Sequence, residues 1–165
     1  MFSERIDRKL LHYRLIGECL GEMLWARRAL LHRPFDETAK KLSLPLRTSH
    51  TPAEQERLVR QVRAALGAIR RRIPWQPTCL VRAVAVHQVL VRRKVASSLV
   101  LSVTPASGKT VDAHAWLEAG GLVVTGQGEK ARYVPIYTFS NAVLSDARDE
   151  NQPVVPGERA QPCSR

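Results

Sequence analysis

The sequence predicts an α+β domain, with helices first and an antiparallel sheet after them. Three observations predict it. Apolar residues recur at helical spacing as far as Lys94, strand-like runs rich in β-formers follow, and the pair Gly120-Gly121 splits two of those runs. A chain of 165 residues is the size of one domain, and 44% apolar residues are enough for a core.

The first helix is expected over residues 4–32, where Ile6, Leu10, Tyr13, Ile16, Leu20, Leu24 and Leu31 fall at steps of three, four and seven. Pro34 ends it. Residues 34–50 read as a connector with a helical turn around Asp36 to Leu42. A second helix opens on Thr51 as N-cap, with Pro52 at the first helical position and Glu54 completing a capping box. Leu58, Val62, Leu66 and Ile69 form its expected buried stripe, with arginines outside. It must stop near Ile73, because Pro74 disfavours helical backbone in the residue before it. The third helix starts at Thr78 and runs through "CLVRAVAVHQVLVRR".

Beyond Lys94, "SSLVLSV" (97–103) reads as a strand and "SGKT" as a turn. "VDAHAWLEA" and "LVVTG" flank Gly120-Gly121, a strong hairpin signal. "ARYVPIYTFS" adds one more strand, with Pro135 placing it at an edge or a bend. The organisation expected is a helical segment over residues 1–50, a core over 51–145 and a polar, proline-bearing disordered tail over 146–165.

Twenty-six Lys and Arg against 15 Asp and Glu give a formal net charge of +11, which favours an acidic or phosphate-bearing partner. Cys19, Cys79 and Cys163 are widely spaced and odd in number, with no zinc-like spacing, so neither a disulfide framework nor a metal is expected. A reducing cytoplasm fits that usage. The N-terminus carries no signal-peptide pattern, and Glu18, Glu22 and Arg27 break its Leu-rich run, so no membrane span is expected.

Cys79 carries the chemistry. Thr78 as N-cap sets it at the first helical position, where unpaired N–H groups and the helix dipole favour a thiolate. Arg82 and the cluster Arg70 to Arg72 add positive charge. A free cysteine is otherwise commonly a small buried hydrophobe, and these features bring the two readings level. A nucleophilic cysteine needs a base, usually His. His12, His32 and His50 fall in the helical and connector region, and His87 is about 12 Å along the same helix. His114 is different: it sits mid-strand between two alanines, sharing a face with Asp112 and Trp116. A strand histidine is more often structural, but helix-borne Cys followed by strand-borne His is the order of papain-like and transglutaminase-like sites.

At these residues the chain resembles a known family. "IPWQPTCLVRAVAVHQVLVRRKV", then "AHAWLEAGGLVVTGQ", is similar to the leader peptidases of lasso-peptide biosynthesis, which are transglutaminase-like cysteine proteases. The likeness covers residues 55–140 and rests on P-W-x-x-x-C-L and A-H-A-W-x-E, about 35 residues apart. It implies a Cys-bearing helix packed on an antiparallel sheet, after N-terminal helices. It also implies removal of the leader from a ribosomally made precursor peptide, with Cys79 as nucleophile and His114 as base. No strand is expected before residue 97, so the resemblance points to the stand-alone C-terminal half of the split B protein. Its partners would be a separate winged-helix leader-recognition protein and an asparagine-synthetase-like cyclase that closes the ring with ATP. No cofactor, metal, nucleic acid or membrane is implied.

Relatives place an Asp about a dozen residues after the His, where this chain reads Thr125-Gly126-Gln127-Gly128. With Gly120-Gly121 as the turn, residue 119 pairs with 122 and His114 falls opposite Gln127, whose amide oxygen can accept from the imidazole. Asp112 and Glu129 are the other candidates. Trp116 and Trp75 either wall the site or fill the core, core being the commoner fate for Trp75, and Gln76 can donate to an oxyanion. A transglutaminase-like acyltransferase is the second reading. A basic nucleic-acid-binding protein is a distant third, with aromatics at only 5%.

Overall fold

The computed structural model describes residues 2–48, 50–104, 112–126, 128 and 132–141. The expected tail at 146–165, Cys163, Gln127 and Glu129 lie outside the described residues. The element order is α1 (Phe2–His32), α2 (Phe35–Leu42), α3 (Pro52–Arg70), α4 (Cys79–Arg92), β1 (Ser97–Val103), β2 (Ala113–Ala119), β3 (Leu122–Thr125) and β4 (Val134–Ser140). The strands make one antiparallel sheet in the order β3-β2-β1-β4. This is the α+β architecture expected, a cysteine-bearing helix packed on an antiparallel sheet.

Local chemistry sets most of the helix ends. Thr51 caps α3 through a capping box: Thr51 Oγ1 accepts from Glu54 N–H, and the Glu54 carboxylate accepts from Thr51 N–H at 2.8 Å. Thr78 caps α4, its hydroxyl accepting from Val81 N–H. At the other end of α4, Val95 N–H donates to Leu90 O and Lys94 N–H to Val91 O. This is a Schellman closure with Lys94 left-handed at φ 54°, and it drops Val95 into the core.

The stripe expected on α1 is its buried face only in part: Ile16 and Leu20 are half-buried against the core. Leu10, Tyr13, Leu24 and Leu31 are more than half exposed, and the side that packs inward carries Leu15, Cys19, Met23 and Ala26. Both stripes have helical period, and the larger side chains mislead. Tertiary charge and close packing decide the rotation: Arg93 of α4 donates to Glu18 at 2.8 Å, Arg92 pairs with Glu22, and small Cys19 and Ala26 let α1 approach. The pairing holds the Glu18 carboxyl below its ordinary range, the Arg93 hydrogen bond being the chief cause. On α3 the buried line is Val59, Val62, Ala65, Ala68 and Ile69, while the expected Leu58 and Leu66 are only half-buried.

Helix α4 lies between α1 and the sheet, so Ala83, Val84, Ala85, Val86, Val89 and Leu90 are fully buried. Ala115, Leu117 and Ala119 of β2 and Leu99 of β1 face that core. The opposite face of the sheet carries a smaller cluster of Val100, Trp116 and Tyr133. Gly120 and Gly121 both take positive φ in the β2–β3 turn, and residues 119 and 122 pair as expected. A bulge between Leu117 and Glu118 then sets Leu117 opposite Thr125. Pairing shifts by one residue, so the straight extension that set His114 opposite Gln127 does not hold. β4 is an edge strand with a register shift that leaves Ile136 unpaired beside Pro135, as the proline suggested.

His87 is fully buried on α4, its Nδ1 2.9 Å from Ser97 Oγ, and burial lowers its pKa from 6.5 to about 4. The unfolded chain therefore takes up this proton first as pH falls. The associated stability is present above pH 6.5 and is lost as pH falls toward about 4, a difference of roughly 3 kcal/mol. Urea unfolding at pH 7 and pH 4 should show that loss, and His87→Asn, which has no proton to take up, should remove this share of it. Equal acid sensitivity in the two proteins would assign the loss to other groups.

Candidate active site

The loop from Arg71 to Thr78 is braced before it delivers the cysteine. Pro74 and Pro77 keep it from continuing either helix, and Arg27 of α1 lies over the Trp75 ring at 5.2 Å from its centroid. Cys79 then starts α4, half-buried, its side chain against the main apolar core. Thr78 serves the N–H of Val81 through its hydroxyl and that of Arg82 through its carbonyl. The N–H groups of Cys79 and Leu80, at the first turn, have no acceptor within the helix and are placed to bind an oxyanion.

Beside this loop is a cleft of about 230 Å³ whose walls include Trp75, Gln76, Pro77, Arg82, Thr125 and Gly126. Gln76 is exposed on it. Trp75 both packs on the core and lines the cleft. Trp116 does not line it; it is 1% exposed, in the cluster on the far face of the sheet, with its indole N–H donating to Glu118 at 3.0 Å.

His114 is half-buried on β2 and stacks on Tyr133, centroids 4.8 Å apart and planes 26° apart. Alternation along β2 puts its ring on the Trp116 side, whereas Ala113 and Ala115 point toward α4. Its Nε2 lies 3.4 Å from Gly126 O. A carbonyl oxygen only accepts, so this long contact is a hydrogen bond in the tautomer that carries its proton on Nε2. Gly126 lines the cleft beside the cysteine loop and its carbonyl meets the imidazole, whereas neither Cys79 nor His114 is among the residues that line that cleft. Asp112 accepts from Tyr133 O–H at 2.7 Å, so its carboxylate reaches the imidazole through the stacked ring.

Two residues of this constellation carried no signal in the sequence reading, Gly126 and Tyr133. "TGQG" marks a special backbone, yet only the bulge explains which glycine meets the histidine. Among the described residues no group of three or more His, Cys, Asp or Glu is arranged to hold a metal ion. None of their helices is long and apolar enough to cross a membrane.

A half-exposed cysteine at a helix start, followed in the chain by a strand histidine oriented through its far nitrogen, defines a cysteine acyl-transfer architecture. The chain belongs to the transglutaminase-like superfamily, which matches residues 23–138, well over half its length. That superfamily generally comprises cysteine peptidases and transferases. Comparisons with curated proteins and with solved structures give no match.

Gly126 tests the arrangement. Its φ is 78°, and an added Cβ would lie 2.8 Å from Trp116 Cβ and 3.0 Å from His114 Nε2. Gly126→Ala should therefore cost about 2 kcal/mol or more in stability and change the His114 ring signals in NMR spectra. A variant as stable as the parent with unmoved His114 resonances would show that Gly126 does not hold the ring.

Proposed function

We propose that this protein is a cysteine peptidase that removes the leader from a ribosomally made lasso-precursor peptide. The observation that carries the reading is Cys79 at the capped start of α4, beside a cleft that shares Gly126 with His114. Its support beyond the superfamily is the pairing of P-W-x-x-x-C-L with A-H-A-W-x-E in one chain. The third member of the site would be the main-chain carbonyl of Gly126, with Gln127, Glu129 and Asp112 as the side-chain candidates.

The steps balance as follows. His114, as the proposed base, takes the Cys79 thiol proton as Sγ attacks the scissile carbonyl carbon. The oxyanion forms against the first-turn N–H groups of α4, with Gln76 at hand on the cleft wall. Collapse breaks the C–N bond, the imidazolium gives its proton to the leaving amine, and a thioester of the leader remains. Water, deprotonated by the same imidazole, hydrolyses it to a free carboxylate and restores the thiol. The freed core amine would pass to the partner cyclase, and a winged-helix recognition protein would present the leader.

Cys79→Ala should reduce leader cleavage to below about 1% of the parent rate while leaving the circular dichroism unchanged. Cleavage that survives the change would end the covalent reading. Cys19→Ala should cleave normally, because Cys19 is fully buried between helices and burial raises its pKa to about 12. Acyl transfer shares the thioester, and the superfamily includes transferases. An amine-adduct mass in place of the free acid, when a primary amine competes with water, would select that activity instead.

The orienter gives a separate expectation. A neutral carbonyl stabilises the imidazolium less than a carboxylate would, so loss of any one side-chain candidate should be mild. Asp112→Asn, Gln127→Ala and Glu129→Gln should each cost at most about tenfold in kcat, well short of the roughly 10⁴ seen for a triad aspartate. One of the three falling a thousandfold would identify that side chain as the partner.

A further inference from the structure

We propose that the cleft beside Cys79 is a subsite for an acidic side chain of the bound polypeptide, taking the carboxylate of a glutamate or aspartate near the bond that is cut. The proposal deepens the peptidase reading and rests on it for its meaning in specificity. Its physical basis is separate.

Two polar atoms carry it. Thr125 is 92% buried (8% exposed) and lines the cleft, and its Oγ1 has no hydrogen-bond partner. Arg82 lines the same cleft, and its Nε is buried without a partner. A buried donor left unmade costs about 1–3 kcal/mol, more when the group is charged, so two on one small cleft mark the place of an absent acceptor. Both can donate, Thr125 through its hydroxyl and Arg82 through a guanidinium that cannot lose its charge. A single carboxylate bridging the two is the proposed occupant.

Charge narrows the acceptor further. Arg70 of α3 stands with Arg82 on the walls, and the described lining residues include no carboxylate. A neutral amide or backbone carbonyl would fill the hydrogen bonds and leave that positive field unanswered. An anion answers it. The rest of the wall is apolar, with Leu66 and Ile73 among it, which suits the methylene stem of an acidic side chain. A volume of about 230 Å³ admits one such side chain and not a nucleotide or a folded element. The location sets the role: Gln76 and Pro77 on the wall lead directly to Cys79, so a residue held here lies within a few residues of the attacked carbonyl.

Binding should be measured on the full chain carrying Cys79→Ala, at 0.15 M salt to screen the outer arginines. Three fluorescent peptides of otherwise identical Ala/Leu sequence serve as probes: one with an internal Glu and an amidated end, its Gln counterpart, and the Gln counterpart with a free C-terminal carboxylate. The Glu peptide should bind at least about tenfold more tightly than the Gln peptide, in line with a charged hydrogen-bonded contact. Arg82→Gln should bring the two within about twofold, and Thr125→Val, which keeps the side chain's shape, should weaken the Glu peptide alone by about threefold or more. Arg57→Gln, on the exposed face of α3, should change nothing.

Equal affinity for Glu and Gln, or a preference that survives both Arg82→Gln and Thr125→Val, overturns the proposal. If Arg82→Gln fails to fold, the Thr125→Val result alone decides it. Tightest binding by the free carboxylate would also overturn it, assigning the cleft to a chain end. Failure of the peptidase reading shows elsewhere, as a parent protein that binds the Glu peptide and cleaves no precursor.

Discussion

Val84, Ala85, Val86, Val89 and Leu90 lose all contact with solvent because α4 is covered on two sides, by the sheet and by α1. A helix buried this way cannot rotate or slide without opening cavities at small β-branched side chains, where each lost methylene costs on the order of 1 kcal/mol. Its ends are therefore fixed in space. At one end the Schellman closure through Lys94 turns the chain into β1, the centre of the sheet. At the other, Thr78 and the braced Pro-Trp-Gln-Pro loop leave Cys79 half-exposed at the edge of a core that is otherwise closed. The position of the thiol is a consequence of packing further along the same helix, from Val84 to Leu90.

Elements whose cause is local were legible in the sequence. The capping box at Thr51, the N-cap at Thr78 and the Gly120-Gly121 turn involve residues within three positions of one another, and each formed as read. The outward face of α1 and the register beyond Leu117 depend on partners far along the chain. Glu18 and Glu22 choose the rotation of α1 only because Arg93 and Arg92 arrive at the end of α4. The bulge at Leu117–Glu118 has no turn residue to announce it, and one extra residue there moves the expected partner of His114. Of the candidate site, the sequence displays residue types, Cys79 and His114 at their spacing. Its connecting piece, a glycine carbonyl, has no side chain for a sequence to display.

In the proposed mechanism that carbonyl stands where the resemblance implies an Asp side chain. What an orienter must do is fix the ring and its tautomer, and a main-chain oxygen does both if the backbone can come close enough. Gly126 comes close because it lacks a Cβ: with one, its neighbours Trp116 and His114 would have to move. What the carbonyl does not supply is a full negative charge beside the imidazolium. Tyr133, stacked on the ring and donating to the Asp112 carboxylate, brings charge near without placing it in direct contact.

The two described cysteines show how far environment decides chemistry within one small core. Cys19 is sealed between α1 and its neighbours, and burial raises its pKa to about 12 despite Arg93 nearby, because Glu18 and Glu22 offset that cation. It stays a thiol and fills space. Cys79 belongs to the same core cluster only at its margin, where a helix begins. There the first-turn amides of the helix are unbonded within it, and Arg82 lines the adjacent cleft. Exposure allows a carbonyl to reach it. In the proposed mechanism the nucleophile is the cysteine that the packing leaves at the edge, and the arginines of α3 and α4 lie beside the cleft next to it.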